Sequence, residues 1–221
     1  MRQGMKFIVA IDGTAGSGKG TIGREISRHF NFRYLDTGLL YRALAFNLRN
    51  ESSDLSLISE MKILEAINSI DLNLLDPKEL RKNEFGEKAS LIAKNSFARE
   101  KLLKQQRIFA NQTGGTILDG RDIGTIVCPN ANVKIFIDAD KSVRAKRRME
   151  QFIEQNIKIS YSEVLANLNN RDERDRSRKI APMIAAQDAL LIDTTNMTIK
   201  QSLDVVFSKI NAELKKITLN S

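Results

Sequence analysis

Hydrophobic residues follow two different spacings along the chain. Five short apolar runs, each ending at or just before an aspartate, predict buried β-strands. Between them, apolar residues recur every three or four positions, as Ile22 and Ile26 do, which predicts amphipathic α-helices. The predicted strands are Lys6–Asp12, Phe32–Leu35, Thr116–Asp119, Val133–Asp138 and Leu190–Asp193. The predicted helices are Lys19–Phe30, Leu39–Leu48, Phe97–Ala110, Lys141–Gln155, Tyr161–Asn170 and Ile199–Leu214.

The pattern weakens between about residues 51 and 96. Met61–Ile70 has helical spacing, Asp71–Leu75 is predicted to be a short strand, and Pro77–Glu87 is polar and predicted to be rich in loops. We interpret the whole stretch as an insertion into one domain rather than as a second core domain.

Strands alternate with helices along the rest of the chain. This order predicts right-handed crossovers and a parallel sheet covered by helices, so the fold class is α/β. Ligands of such sheets bind beyond the carboxyl ends of the strands. The aspartates at these ends are Asp12, Asp36, Asp119 and Asp138. We expect the functional site at this edge of the sheet.

The composition is that of one packed domain. Of 221 residues, 42% are hydrophobic and 28% are charged, so a buried core is expected. No apolar run is long enough to cross a bilayer or to form the core of a signal peptide. The single cysteine, Cys128, excludes an intrachain disulfide, and the single histidine, His29, excludes a Cys/His metal cluster. We expect a soluble, cytoplasmic protein in which Cys128 and His29 are structural.

The net charge of +8 suits a partner that carries phosphate. Arginine dominates the two densest basic clusters, at residues 144–148 and 171–179, which favours bidentate contacts with phosphate or carboxylate groups. A nucleic-acid-binding module is one interpretation of this charge. Acidic residues are interleaved in the second cluster, however, and no aromatic stacking cluster accompanies it, so we expect no nucleic-acid partner.

A glycine-rich loop follows the first predicted strand and opens the first helix. Its residues are Gly13, Thr14, Ala15, Gly16, Ser17, Gly18, Lys19, Gly20 and Thr21. Glycines let successive N–H groups point at phosphate oxygens, and Lys19 would reach the β- and γ-phosphates of a nucleotide. The usual Ser or Thr after the lysine is replaced by Gly20, with Thr21 one place later, so the metal ligands cannot be assigned.

Two other interpretations of this loop are a dinucleotide-binding fingerprint and a simple glycine turn. The fingerprint would need a glycine where Thr21 stands, although Asp36 lies where a ribose-binding acid could be. A simple turn would not require a lysine at this place. The sequence therefore favours a phosphate-binding loop (P-loop).

Three further motifs share the chain with the Gly-Lys-Gly-Thr ending of the loop. They are Asp36-Thr37-Gly38-x-x-Tyr41-Arg42, Asp119-Gly120-Arg121-Asp122-Ile123-Gly124-Thr125 and Arg171-Asp172-x-Arg174-Asp175-x-x-Arg178, the last followed by Ala181-Pro182. In order and spacing, the chain resembles the bacterial cytidylate kinases from about Phe7 to Ile199. That family belongs to the nucleoside monophosphate (NMP) kinases with a P-loop.

The resemblance implies a fold and an activity. Residues 1–221 would form one three-layer P-loop kinase domain, with a central five-stranded parallel sheet and helices on both faces. The core would comprise about 5–50, 97–155 and 185–221, with a shortened NMP-binding insert at about 51–96 and a lid at about 156–184. The enzyme would transfer the γ-phosphoryl group of ATP to CMP or dCMP with Mg²⁺, as a monomer. Another P-loop kinase, acting on AMP, UMP or an alcohol, is the alternative.

The resemblance also assigns site residues. Gly13–Thr21 would bind ATP, and Lys19 and Arg147 would be catalytic, with Arg147 facing the transferring phosphoryl group. Arg147 and Arg148 are adjacent, so they must point in different directions. The residues assigned to CMP are Thr37, Arg42, Ser90, Arg99, Arg121, Asp122, Arg171, Asp175 and Arg178.

Within this set, Asp122 and Arg99 would read the base. Cytosine presents an N4 amino donor beside the N3 and O2 acceptors, and a carboxylate with a cationic donor complements that pattern. Uracil would leave the same pair mismatched. We also expect the segment 171–179 to move or become ordered when a nucleotide binds, since its arginines would lack partners without phosphate.

Overall fold

The structure is a computed structural model that describes residues 5–52, 57–72, 74–80 and 82–219. Its strands are β1 (Lys6–Gly13), β2 (Arg33–Asp36), β3 (Gly114–Asp119), β4 (Val133–Asp138) and β5 (Leu190–Asp193). Its longer helices are α1 (Lys19–Phe30), α2 (Thr37–Asn47), α6 (Ser96–Ala110), α7 (Lys141–Glu154), α8 (Tyr161–Ser177) and α9 (Ile199–Leu219). Three shorter helices, α3 (Glu60–Asn68), α4 (Pro77–Leu80) and α5 (Asn83–Ile92), lie between α2 and α6.

The five strands form one parallel sheet in the order β2-β3-β1-β4-β5. β1 is central, and its apolar residues are buried on both faces because helices cover the sheet on each side. The register aligns Ile11 of β1 with Asp119 of β3, and Gly13 with Ile137 of β4. The carboxyl ends of the strands therefore meet at one edge, as the sequence predicted.

Alternate residues of β1 pack against different helices. Val9 and Ile11 join a core cluster with α1 and α9, whereas Ala10 joins a cluster that contains Cys128 and the last residue of α6. The prediction of a sheet with helices on both faces is thus confirmed. His29 stacks on Phe207 with ring centroids 4.2 Å apart, and Cys128 is buried, so both have the structural roles expected.

The segment between α2 and α6 differs from its prediction. Asp71–Leu75 is not a strand, because its described residues form turn and bend, and Asn73 lies outside the described residues. The loop predicted at Pro77–Glu87 is instead α4 and the start of α5. Phe85 and Ile92 are buried at helical spacing against α2 and α6, and this packing overrides the polar composition. The described residues of 51–96 include no strand.

Helix α8 is longer than predicted. A capping box formed by Ser160 and Glu163 begins it, and it continues past the predicted end at Asn170 to Ser177, through a charged stretch. Asp172 and Asp175 are buried in this stretch, because each accepts hydrogen bonds from partners outside the helix. Tertiary contacts thus extend the helix beyond its apolar pattern. Helix α9 likewise runs past the predicted Leu214 to Leu219.

Asp12 lies at the end of β1, but it does not face a ligand site. Its carboxylate accepts the backbone N–H groups of Ile123 and Gly124 at 2.8 and 2.7 Å, which fixes a single π-helical turn at Ile123–Val127. Burial raises the pKa of Asp12 to about 7 despite these two hydrogen bonds. No local pattern predicts this turn, since the hydrogen bonds from it to Asp12 join positions more than a hundred residues apart. Along the described part of the chain, no helix is both long and apolar enough to cross a membrane.

Gly13 should be irreplaceable for stability. Its φ is +139°, and a Cβ there would lie 1.9 Å from the backbone oxygen of Ile137. We expect Gly13→Ala to lower the free energy of unfolding by about 3 kcal/mol or more, since both strain and a backbone clash are introduced. Urea unfolding without nucleotide measures this change.

Gly114→Ala is the matched control. Gly114 also has a positive φ, of +91°, but a Cβ there would meet nothing within 4 Å. It should cost only the strain of the backbone angle, about 1 kcal/mol. Equal losses for the two variants would contradict the clash at Gly13.

Candidate active site

A cleft of about 650 Å³ opens at the carboxyl edge of the sheet. Its walls come from the glycine-rich loop, from α2, α5 and α6, from residues 119–122 and from one side of α7 and α8. This volume lies within the range of small-molecule sites. All nine residues that the sequence assigned to CMP line the cleft, as do Ala15–Thr21 and Arg147.

The glycine-rich loop connects β1 to α1. Lys19 is the first residue of α1, and its Nζ donates to the carbonyl oxygen of Thr14 across the loop at 2.6 Å. Gly18 precedes it with φ 95° and has no side chain to cap the first N–H groups of the helix. Thr21 N–H donates to the carbonyl oxygen of Gly18, whereas the N–H groups of Lys19 and Gly20 have no acceptor among the described residues and are left for a ligand oxygen, which is the arrangement of an anion site.

Two residues assigned to the loop lie beneath the cleft rather than along it. Gly13 is pressed against Ile137, and Thr14 is fully buried, with its hydroxyl donating to Asp138 Oδ1 at 2.5 Å. Their position indicates that they shape the loop, while Ala15–Thr21 form its accessible surface.

Positive charge is concentrated beside Lys19. Burial, together with the guanidinium groups of Arg121 and Arg171, lowers the pKa of Lys19 to about 7, against the opposing effect of Asp119. Burial also lowers the pKa of Arg171, whose Nε has no hydrogen-bond partner within the described structure. Such a group of desolvated cations would gain from an anion placed among them.

Two carboxylates face the cleft from neighbouring strand ends. Asp36 of β2 and Asp119 of β3 are paired in register, and both line the cleft. Asp119 Oδ2 accepts the hydroxyl of Tyr34 at 2.9 Å, and Thr37 donates to its main-chain oxygen at 2.7 Å. Burial raises the pKa of Asp119, and the nearby charge of Asp36 adds to this rise.

Asp122 is held between two arginines on the other side of the cleft. Arg99 Nη2 of α6 donates to its Oδ2 at 2.5 Å, and Arg178 Nη2, just after α8, donates to its Oδ1 at 3.1 Å. All three side chains are at most 10% exposed. The resemblance assigned Asp122 and Arg99 to the same base, and the structure places their side chains in contact.

Asp175 connects three elements around the same cleft. Its Oδ2 accepts from Arg121 Nε at 3.0 Å and lies 3.9 Å from Arg171 Nε, while Ser90 of α5 donates to its Oδ1 at 3.4 Å. Burial lowers the pKa of Arg121, but Asp175, Asp172 and Asp119 together outweigh burial and raise this pKa above its ordinary value. Four residues assigned by resemblance thus form one network.

Arg42 and Arg147 are held by backbone oxygens. Arg42 Nη1 donates to the carbonyl oxygens of Leu80 and Lys82. A Cβ on Gly86 would lie 2.8 Å from Arg42 Nη2, so the glycine leaves room for the guanidinium group. Arg147 donates to the hydroxyl and the carbonyl of Thr194 at 3.1 and 2.8 Å.

Arg148 points elsewhere, as its adjacency to Arg147 required. Its guanidinium lies over the ring of Phe152 at 4.5 Å, and Nη1 donates to Gln151.

The reason given for motion of 171–179 is wrong. Three of the four arginines of this segment have acidic partners in the described structure: Arg178 pairs with Asp122, Arg174 with Glu87, and Arg176 lies 3.7 Å from Asp138. The fourth, Arg171, lies 3.9 Å from Asp175 without a hydrogen bond at Nε. Whether the segment moves on binding stays a prediction that needs a different cause.

Sequence reasoning missed two buried residues that contact the loop, Arg144 of α7 and Asp172 of α8. The one available signal was that Arg144 interrupts the amphipathic pattern of α7. Its partners, Ala15 and Asp172, lie too far along the chain to be predicted from residue spacing.

The chain is similar over nearly its whole length to proteins of one family. The family model described as cytidylate kinase matches residues 9–212. The cytidylate kinase of Bartonella henselae is 43% identical over 209 residues, which cover 95% of this chain and 96% of that protein. That of Xanthobacter autotrophicus is 42% identical over 206 residues, covering 93% and 98%.

A solved structure, of an uncharacterized protein from Eubacterium ventriosum, has a TM-score of 0.56 at 18% identity and covers 94% of this chain and 99% of its own. This likeness concerns the fold alone. The family match, in contrast, spans nearly the whole chain, and it confirms the resemblance first seen in the four motifs. The chain therefore belongs to the cytidylate kinase family and is an ATP-dependent phosphotransferase.

Proposed function

We propose that this chain transfers the γ-phosphoryl group of ATP to CMP or dCMP by means of the residues that line the cleft. The observation that carries the proposal is Asp122, a buried carboxylate held by Arg99 and Arg178 in the same cleft as the phosphate-binding loop. The loop suits a triphosphate, and the carboxylate suits an amino group on a base. Neither alternative function, another small-molecule kinase or a nucleic-acid module, gains support from the relatives.

The donor nucleotide would bind to Ala15–Thr21. Backbone N–H groups at the start of α1 would hold its phosphates. Lys19 would stabilise the negative charge that shifts between the β- and γ-phosphates during transfer. The sequence assigned Arg147 to the transferring group. In the structure it is positioned by Thr194, within the same cleft, so this role stays a proposal.

The acceptor phosphate would lie among Arg42, Arg121 and Arg171. Its second pKa is about 6, so it is largely ionised near neutral pH and needs no general base. What the reaction needs is alignment and cancellation of charge. This agrees with a cleft rich in arginine, in a chain whose single histidine is exposed and stacks on Phe207, away from the residues that line the cleft.

Asp122 would accept a hydrogen bond from cytosine N4, while Arg99 would donate toward N3 and O2. Ser90 and Thr37 supply further polar contacts at the edge of this pocket. Uracil carries an oxygen in place of the amino group, so Asp122 would face a second acceptor and lose its partner.

The donor set of the cleft fits Mg²⁺ carried by ATP. Asp36 and Asp119 are neighbouring carboxylates whose mutual repulsion a divalent cation would relieve, and the raised pKa of Asp119 reflects that repulsion together with burial. Mg²⁺ in kinases is held by one or two carboxylates, substrate phosphates and water. When bound, it would neutralise charge on the phosphates; Asp36 and Asp119 are the residues proposed to hold it.

The same assignments divide the chain into parts. The segment 51–96 would be the NMP-binding insert that supplies Ser90, and 156–184 would be the lid that supplies Arg171, Asp175 and Arg178, with 5–50, 97–155 and 185–221 as the core. A monomeric state and a cytoplasmic location stay predictions.

Removing the lysine of the loop should abolish turnover. We expect Lys19→Ala to lower kcat/KM by about 1,000-fold, because a positive charge close to the transferring group is lost. Release of ADP from Mg·ATP and CMP, in a coupled assay, measures it. Arg28→Ala, on the exposed face of the same helix, should match the parent protein. Near-normal turnover by Lys19→Ala would count against the loop assignment.

ATP binding should consume a proton above neutral pH. Because the pKa of Lys19 is lowered to about 7 without a ligand, the lysine is partly neutral at pH 8, and adjacent phosphates would raise its pKa again. The bound state then holds more protons than the free state, so affinity falls as pH rises above 7, by at most about tenfold per pH unit.

Calorimetry at pH 8 in two buffers of different ionisation enthalpy measures this proton directly. The parent protein should take up a substantial fraction of one proton, while Lys19→Arg, whose charge is permanent, should take up almost none. Zero uptake by the parent would show that Lys19 is already fully charged.

Asp122→Asn should relax base selectivity. An amide can donate to O4 of uracil, whereas the carboxylate cannot, so the CMP-to-UMP ratio of kcat/KM should fall by about 10- to 100-fold. The KM for ATP should change by less than about threefold, since Asp122 would not touch the donor. Asp188→Asn, at an exposed position, is the control. An unchanged ratio would refute the role proposed for Asp122.

A parent protein that prefers AMP, UMP or an alcohol over CMP would refute the proposed function.

A further inference from the structure

Two buried charges beneath the cleft take no part in the chemistry proposed above. Arg144 lies on α7 and Asp172 on α8, and Arg144 Nη1 donates to Asp172 Oδ2 at 2.5 Å. Each side chain is 2% exposed, so neither can touch a substrate in this structure. A buried ion pair is weak grounds for stability, because desolvation offsets most of the attraction. Its purpose is better judged from its other contacts.

Those contacts converge on one peptide of the phosphate-binding loop. Asp172 Oδ1 accepts the backbone N–H of Ala15 at 3.1 Å, and Arg144 Nη1 donates to the carbonyl oxygen of Ala15 at 3.0 Å. Arg144 Nε donates to the carbonyl of Ala139, which fixes the guanidinium itself. The loop is also close to α7 at its next residue, where a Cβ on Gly16 would lie 3.3 Å from the main-chain oxygen of Arg144. Both polar groups of Ala15 are therefore held by helices α7 and α8.

Helix α8 also reaches the acceptor side of the cleft. Asp175 is one turn beyond Asp172 and binds Arg121, and Arg178, immediately after the helix, binds Asp122. Since a helix is stiff over two turns, its hold on Ala15 fixes the distance between the loop and these acceptor groups. Helix α8 is thus a rigid link between the donor half and the acceptor half of the site.

We propose that Asp172 and Arg144 are positioning residues, which hold the phosphate-binding loop in line with the acceptor groups carried by α8. Phosphoryl transfer depends on alignment more than on any reacting side chain, and a misplacement of about 1 Å can cost about 100-fold in rate. The effect of losing this link should therefore fall on kcat. The proposal rests on the function proposed above.

The first variant is Asp172→Asn. It keeps an acceptor for the Ala15 N–H in place of Oδ1 but sets an amide in place of Oδ2 against Arg144, so the link is loosened with little change of volume. We expect kcat with ATP and CMP to fall by about 10- to 100-fold, while both KM values stay within about threefold of the parent. Glu173→Gln, at the exposed neighbouring position on α8, should keep the parent kcat.

A loss of folding would mimic this result, so a second variant separates the two. Arg144→Met/Asp172→Leu removes both charges together, and such replacements of buried pairs are often neutral or stabilising. With a thermal midpoint at or above that of the parent, it should still show the fall in kcat. A stable double variant with the parent kcat would overturn the proposal, because the pair would then be merely structural.

The parent protein offers a test that needs no variant. Without nucleotide, the amide of Ala15 should exchange with solvent at least about tenfold more slowly than that of Gly18, because Asp172 accepts the Ala15 N–H while the Gly18 N–H has no acceptor among the described residues. Exchange at Ala15 as fast as at Gly18 would overturn the link. If the parent fails to phosphorylate CMP, the proposed function fails; if it succeeds and the kcat predictions fail, this inference alone is wrong.

Discussion

Concentrating positive charge in a buried cleft is the constraint on which this site depends. Arg121 and Arg171 lie close enough to Lys19 to lower its pKa, and burial lowers it further. A folded protein can hold such a group only if carboxylates offset most of its charge without filling the space meant for phosphate. Asp172 does this from beneath the cleft and Asp175 from its wall, since both are buried and engaged by guanidinium groups. The anion-binding side of the cleft is left open.

The strand ends show how position within the sheet decides the role of similar residues. β1 is central, so the loop that follows it covers its end, and Asp12 binds the neighbouring π-helical turn. Asp138, at the end of β4, holds the hydroxyl of Thr14. On the other side of β1, Asp36 and Asp119 end adjacent strands and face the cleft. Of the four aspartates at the predicted strand ends, Asp36 and Asp119 thus line the cleft, whereas Asp12 and Asp138 hold parts of the backbone and the loop.

This difference marks what the sequence could predict. Strand β5 was predicted to the residue, and the loop and the motif residues were found because each is a contiguous pattern with a local physical meaning. The interval 71–87 was misjudged because Leu80 and Phe85 are few among polar neighbours, and they are buried where α4 and α5 pack against α2. No local signal reports packing against an element that lies elsewhere in the chain.

The same limit applies to the site. Asp122 and Arg178 could be assigned by motif and Arg99 by the family resemblance, but that two arginines share one carboxylate follows only from the fold. Arg144 and Asp172 lie 129 and 157 positions from Ala15, the residue they bind, and that separation hides them from any reading of spacing.

Helix α8 explains why a stretch of alternating charges need not be a solvated surface. Its residues carry opposite signs because they address different partners: Asp172 faces the loop, Asp175 faces Arg121, and Arg178, just past the last turn, faces Asp122. A surface helix would pair its charges with one another at spacings of three and four. Here the stronger hydrogen bonds run outward to other elements, so the interleaved acids that argued against a nucleic-acid partner are what make the helix a link within the site.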